Sequence, residues 1–226
     1  MTQDQIFMSW PLGVLQAAWK PSMYNAAPLR KLVYRKLDDT AIRQAGKHLR
    51  IGATCLETGE YNVFDQRYPD VRGAILASCA FPGAFEPVQL LNGRHWIDGG
   101  AREVSPVKAA LDAGASRIDV LVTSPRHSAP FTEHPLRSYD VVLRAVDVMS
   151  DEVLTNDLVA ADFANRLVQA GRGMGMRDVE LHILRPIDTL TTHLFDFKPA
   201  TLHELFRKGY EDARHLTYGN LAFNPA

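Results

Sequence analysis

The chain has 226 residues, with 25 Lys plus Arg against 26 Asp plus Glu, a formal net charge of −1, and 46% hydrophobic to 23% charged residues. That length holds one domain with a substantial core, the composition is that of a folded chain rather than a disordered one, and the charge balance excludes a global field for nucleic acid. The two cysteines, Cys55 and Cys79, are too few for a disulfide framework. Both lie among apolar residues, where free cysteines are ordinarily buried, which fits a reducing, cytoplasmic compartment.

The first residues lack a basic segment followed by an apolar run and cleavage site, so no secretory signal is read. The apolar run IFMSWPLGVLQAAW is broken by Pro11 and Gly13 and is too short to span a bilayer. Residues 1–48 read as helical pieces punctuated by Pro11, Pro21 and Pro28, with a helix resuming over 29–37. Arg30, Lys31, Arg35 and Lys36 form its solvated face. Asp38, Asp39 and Thr40 offer caps for a further short helix ending near Gly46.

Residues 49–55 and 61–64 flank Thr58-Gly59 and predict a hairpin. Residues 71–80 are rich in small side chains, suiting a helix laid close on a sheet, and Phe81-Pro82 ends it. Residues 88–91 and 94–97 flank Asn92-Gly93, a type I′ hairpin signal. His95-Trp96-Ile97 then delivers a carboxylate, Asp98, onto a corner where Gly99 and Gly100 permit positive φ. Taken alone, Asp-Gly-Gly is read as a turn formed for its dihedrals.

After the corner, Ser105-Pro106 starts a helix with Val107, Ala110 and Leu111 on one face, stopped by Gly114. Residues 118–123 read as a buried parallel strand. Over 135–170, Val142, Val146, Met149, Val153, Ala160, Phe163 and Leu167 follow three-and-four steps, one long helix whose stripe is expected in the core. The tract 171–175, GRGMG, follows a helix and precedes the strand 179–184, the wrong order for a phosphate loop. A final helix is read over 201–216 from Leu202, Leu205, Phe206 and Tyr210, with a capping box from Thr201 and Glu204. The alternation of elements is α/β.

The arrangement ASCAFPGAFEPV, then WIDGG, then Pro106, Ala110 and Gly114-Ala115 at helical spacing, resembles the patatin-like phospholipase family. The strand and hairpin Thr54-Cys55-Leu56-Glu57-Thr58-Gly59-Glu60, with Phe64, extend the likeness, whose specific part covers residues 49–124. The resemblance implies a single patatin-like domain over 1–226 with a three-layer α/β/α fold. It implies a lipid acyl hydrolase using a Ser-Asp dyad, with Asp98 as catalytic base beside the motif glycines Gly99 and Gly100. Its partners are then a lipid or other ester substrate and a transient membrane-surface contact, with no cofactor and no nucleic acid.

The nucleophile of that dyad sits in a GxSxG elbow, with a glycine-rich loop for the oxyanion. Neither occurs in this sequence: Ser78 lies in ASCAF, Ser105 in EVSPV and Ser116 in GASRI. The fold is therefore expected to be N-terminally truncated and the chain alone inactive, the alternative being a noncatalytic lipid-binding or interaction module. Ser78, at the end of a small-residue helix, is expected to bond locally or pack. His48, His95, His127, His134, His182, His193, His203 and His215 show no ligand spacing, so no metal site is expected. A nucleotide-binding α/β protein is disfavoured by the position of the glycines.

Overall fold

A computed structural model describes residues 8–9, 21–90, 93–123, 125, 138–174, 176–186 and 198–215. The chain divides into two compact units, Met1–Val104 with Phe197–Pro199, and Ser105–Asp196 with Ala200–Ala226.

In the first unit, β1 (Met8–Ser9) pairs antiparallel with β2 (Tyr24–Asn25), a bridge that a helical reading of 1–48 does not contain. Pro21 and Pro28 flank β2, and the short extended piece between them pairs instead of continuing a helix. Pro11 lies outside the described residues. Helix α1 (Ala27–Lys36) starts with Pro28 in its first turn, where a missing N–H costs nothing. Helix α2 (Asp39–Gln44) is capped as expected, the Asp38 carboxylate accepting the Thr40 N–H at 2.8 Å. Gly46 follows in the left-handed region at φ 64°.

Strands β3 (Arg50–Cys55), β4 (Tyr61–Asp65), β5 (Val88–Gln89) and β6 (His95–Asp98) form a four-stranded sheet in the order β4-β3-β6-β5. Every pairing in it is antiparallel. The β5–β6 connection closes through the Leu90 N–H to the Arg94 carbonyl at 3.1 Å, with Gly93 at φ 70°. That closure leaves three residues in the loop rather than the two of a type I′ turn, and Asn92 lies outside the described residues. Helix α3 (Val71–Ser78) packs on this sheet and buries Val71, Ala74 and Ala77 completely. Its small side chains permit the close approach, and its first turn is capped by Asp70, which accepts the Gly73 N–H at 2.8 Å.

The core of this unit joins Ile51, Ala53, Cys55, Phe64, Val71, Leu90 and Trp96. Phe64 meets Trp96 edge-on at 5.1 Å and Tyr68 at 4.7 Å between ring centroids, each such pair contributing about 0.5–1.5 kcal/mol beyond area burial. Cys55 is fully buried, whereas Cys79, just past the end of α3, is exposed. The helix ends two residues earlier than the 71–80 read from sequence, so Cys79 sits on the turn rather than on the packed face.

In the second unit, helix α4 (Val107–Asp112) ends at Gly114, φ 88°. Strands β7 (Arg117–Leu121) and β8 (Glu180–Leu184) pair in parallel. They are joined through α5 (Ser138–Gln169), and α6 (Pro199–His215) closes the described chain. β7 is not buried on both faces: Ile118 is 9% exposed but Leu121 79%. Among the described residues it has one strand neighbour, so its pattern alternates.

The α5 stripe is also displaced from expectation. Leu154 and Leu158 are the buried positions, while Val142, Met149, Val153 and Phe163 are exposed. The side of α5 that carries Leu154 and Leu158 also carries Asn165, whose amide grips the backbone of Val179 in both directions at 2.6 and 3.0 Å. Those two hydrogen bonds fix the rotation of the helix, and periodicity alone contains no record of them. In α6, Thr201 lies inside the helix rather than at its cap, and Leu216 lies outside the described residues. Phe206 and Tyr210 are exposed.

Helices and sheets together make this an α/β chain. No helix among the described residues is long and apolar enough to cross a membrane.

Candidate active site at the end of strand β6

β6 runs against β3 with Trp96 opposite Cys55, Ile97 opposite Thr54 and Asp98 opposite Ala53. Ala53 is completely buried, so the carboxylate at the strand end stands over a small, dry residue. The Asp98 N–H donates to the Ala80 carbonyl at 3.0 Å, tying the strand end to the turn after α3. Its Oδ1 accepts the Gly100 N–H at 2.8 Å, an Asx turn that orients the side chain. Among the described residues the carboxylate has no other hydrogen bond and no ion pair, so one oxygen is available to a proton donor.

Burial pushes the Asp98 carboxyl above its ordinary range, and the Gly100 hydrogen bond opposes that shift. The balance strengthens Asp98 as a proton acceptor, because a carboxylate in water is a weak base.

The motif glycines act differently from the expectation of positive φ. Neither Gly99 nor Gly100 is among the residues with left-handed backbone. Both belong to a short 3₁₀ turn, Gly99–Ala101. Gly99 is buried, and a Cβ there would stand 2.7 Å from the Gly52 carbonyl oxygen and 3.2 Å from the Tyr61 ring. Gly100 supplies the N–H for Asp98, and a Cβ on it would sit 3.2 Å from Oδ1. Close approach of backbones, rather than unusual dihedrals, is what the glycines provide.

Tyr61 lies over Gly52, where it occupies the space of an absent side chain. Burial and the nearby Glu103 push its phenol up to about 12, so it remains a neutral wall. Arg102 donates to the Gly59 carbonyl at 2.8 Å and so anchors the turn to the β3–β4 hairpin. Gly59 itself is left-handed, φ 69°. At the other end of β6, Glu57 accepts both the His95 backbone N–H at 3.0 Å and a bond with His95 Nδ1 at 2.8 Å.

Ser78 is the last residue of α3 and half-buried, and among the described residues no hydrogen bond joins it to Asp98. Sequence reasoning missed Cys79 as a neighbour of Asp98. Although the residue is exposed as a whole, the packing around its sulfur desolvates the thiol and pushes it up, and the Asp98 charge pushes it further, so Cys79 is held as a neutral thiol rather than an activated thiolate. The clue was available in ASCAF directly before the turn that the corner binds. Among the described residues no group of three or more His, Cys, Asp or Glu is gathered to hold a metal ion.

The strand order, the helix ending in SCAFP and the corner fall in the stretch matched by the family model of patatin-like phospholipase, residues 4–111.

Proposed function

We propose, from the premise that residues 4–111 belong to the patatin-like phospholipase family, that Asp98 is the general base of a Ser-Asp dyad in lipid ester hydrolysis. The observation that carries this reading is the carboxylate itself. It is half-buried at a strand end, oriented by the Gly100 N–H, raised in proton affinity, and, among the described residues, left with one oxygen unengaged. In that role it accepts the proton of a serine hydroxyl as the hydroxyl attacks the ester carbonyl, and returns it to the leaving alkoxide. Gly99 and Gly100 hold the corner against β3 so that the base is fixed before substrate arrives. Reaction needs no cofactor, and the partner is a lipid or other carboxylic ester met at a membrane surface.

The sequence has no GxSxG, and neither Ser78 nor Cys79 is poised to replace that serine. The 226 residues therefore supply the aspartate half of the dyad and do not hydrolyse esters through it unaided. The same absence favours a second reading, a noncatalytic patatin-type module that binds lipid or a partner. The coding DNA immediately upstream of the Met1 codon separates the two. An in-frame GxSxG with a glycine-rich loop supports the dyad. A stop codon close upstream overturns it in favour of the module.

A further inference from the structure

A pocket of about 420 Å³ opens on the sheet of the first unit, and Asp98 is not among its lining residues. Its walls combine two kinds of chemistry. Phe64, Tyr68 and Trp96 form an aromatic surface, with Phe64 and Trp96 almost wholly buried. Arg67 and Arg94 line the same pocket, both exposed and neither in an ion pair among the described residues. The one carboxylate in the lining, Asp65, already accepts the Arg67 backbone N–H through Oδ1 at 2.8 Å. The pocket thus carries two guanidiniums against one partly engaged carboxylate, in a chain whose net charge is −1.

Two forked cations bias the pocket toward a ligand with acceptor oxygens, while the aromatic floor offers nothing to a bare inorganic ion. The volume lies within the range of small-molecule sites.

We propose that this pocket binds an alkyl oxyanion, a single carboxylate or phosphate head carrying an apolar chain, with Arg67 and Arg94 on the head and Phe64, Tyr68 and Trp96 along the chain. The site is carried mainly by β4 and the turn after it, with Trp96 from β6, the strand that ends in Asp98, but the proposal does not depend on Asp98 acting as a base. Binding is measured without turnover, so it stands or falls separately from the dyad.

The test is isothermal calorimetry of the 226-residue chain with octanoate, hexyl phosphate, inorganic phosphate and octanol, the amphiphiles kept below micelle formation. Saturable one-to-one binding of octanoate or hexyl phosphate is expected, and which of the two binds more tightly identifies the head group. Arg67→Gln with Arg94→Gln weakens that binding at least tenfold, and Asp98→Asn leaves it unchanged. Both arginines are exposed, so the double variant keeps the fold, checked by its circular dichroism. Inorganic phosphate binding as tightly as hexyl phosphate, octanol binding as tightly as octanoate, or no saturable binding at millimolar ligand each overturns the proposal. Binding indifferent to both arginines overturns it equally.

Discussion

Gly99 lies against Gly52 so closely that a Cβ on Gly99 would stand 2.7 Å from the Gly52 carbonyl oxygen. The obstacle is backbone of a central strand, which has no rotamer with which to move aside. Gly99→Ala is therefore expected to cost about 1–3 kcal/mol of stability through overpacking, read from urea unfolding. Gly100→Ala meets only the Asp98 carboxylate, at 3.2 Å. It is expected to cost less than Gly99→Ala and to disturb the side chain rather than the fold. Equal costs for the two would contradict this division of roles.

Asp98 also makes a prediction about pH. Its carboxyl is raised in the folded chain by burial, so the folded state holds the proton more tightly than the unfolded one. The stability linked to it is present below the ordinary aspartate range and is lost as pH rises through the raised value. Asp98→Asn keeps an oxygen for the Gly100 N–H and removes the buried charge. It is expected to be more stable than the parent at neutral pH, with the difference shrinking in acid, measured by thermal unfolding across pH. A variant that is equally destabilised at every pH would contradict the assignment.

How far the corner could be read from sequence depends on which contacts are local. The strand His95–Asp98, the β3–β4 hairpin, the cap at Asp38 and the stop at Gly114 are set by neighbours within a few residues, and the chain carries their signals openly. Gly99 was legible as necessary but not for the right reason, because its partner Gly52 lies on another strand. The same holds for Cys79, whose significance comes from Asp98 across the turn. In α5 the apolar repeat marks a helix, but which side is covered is decided by Asn165 gripping Val179, and a hydrophobic period does not weigh an asparagine.

That rotation of α5 is open to direct test. Leu154 and Leu158 are 4% and 7% exposed, whereas Met149 is 67% exposed and Phe163 61%. Leu154→Ala or Leu158→Ala is expected to cost about 2–5 kcal/mol. Met149→Ala is expected to stay within about 0.5 kcal/mol of the parent, as surface changes do. The reverse order, in urea unfolding, would restore the stripe that periodicity suggests.

Glu57 provides a second titration, independent of the Asp98 corner. Its hydrogen bonds with the His95 side chain and then the His95 backbone N–H lower its carboxyl to about 2. The depressed value means that its contribution to stability is present above the ordinary glutamate range and is lost as pH falls toward 2. In His95→Ala the side-chain bond goes and the backbone bond stays. The Glu57 midpoint, followed by NMR, is expected to rise while remaining below the ordinary value. No rise would show that the imidazole contributes nothing.

The most direct measurement of the account is ester turnover by the purified 226-residue chain, with p-nitrophenyl butyrate as substrate and Asp98→Asn as the comparison. With Asp98 as the proposed base but no GxSxG serine in the sequence, both proteins are expected to give the same background rate. Robust turnover by the parent chain that Asp98→Asn abolishes would contradict the account, because it would mean that a nucleophile within these residues already completes the dyad.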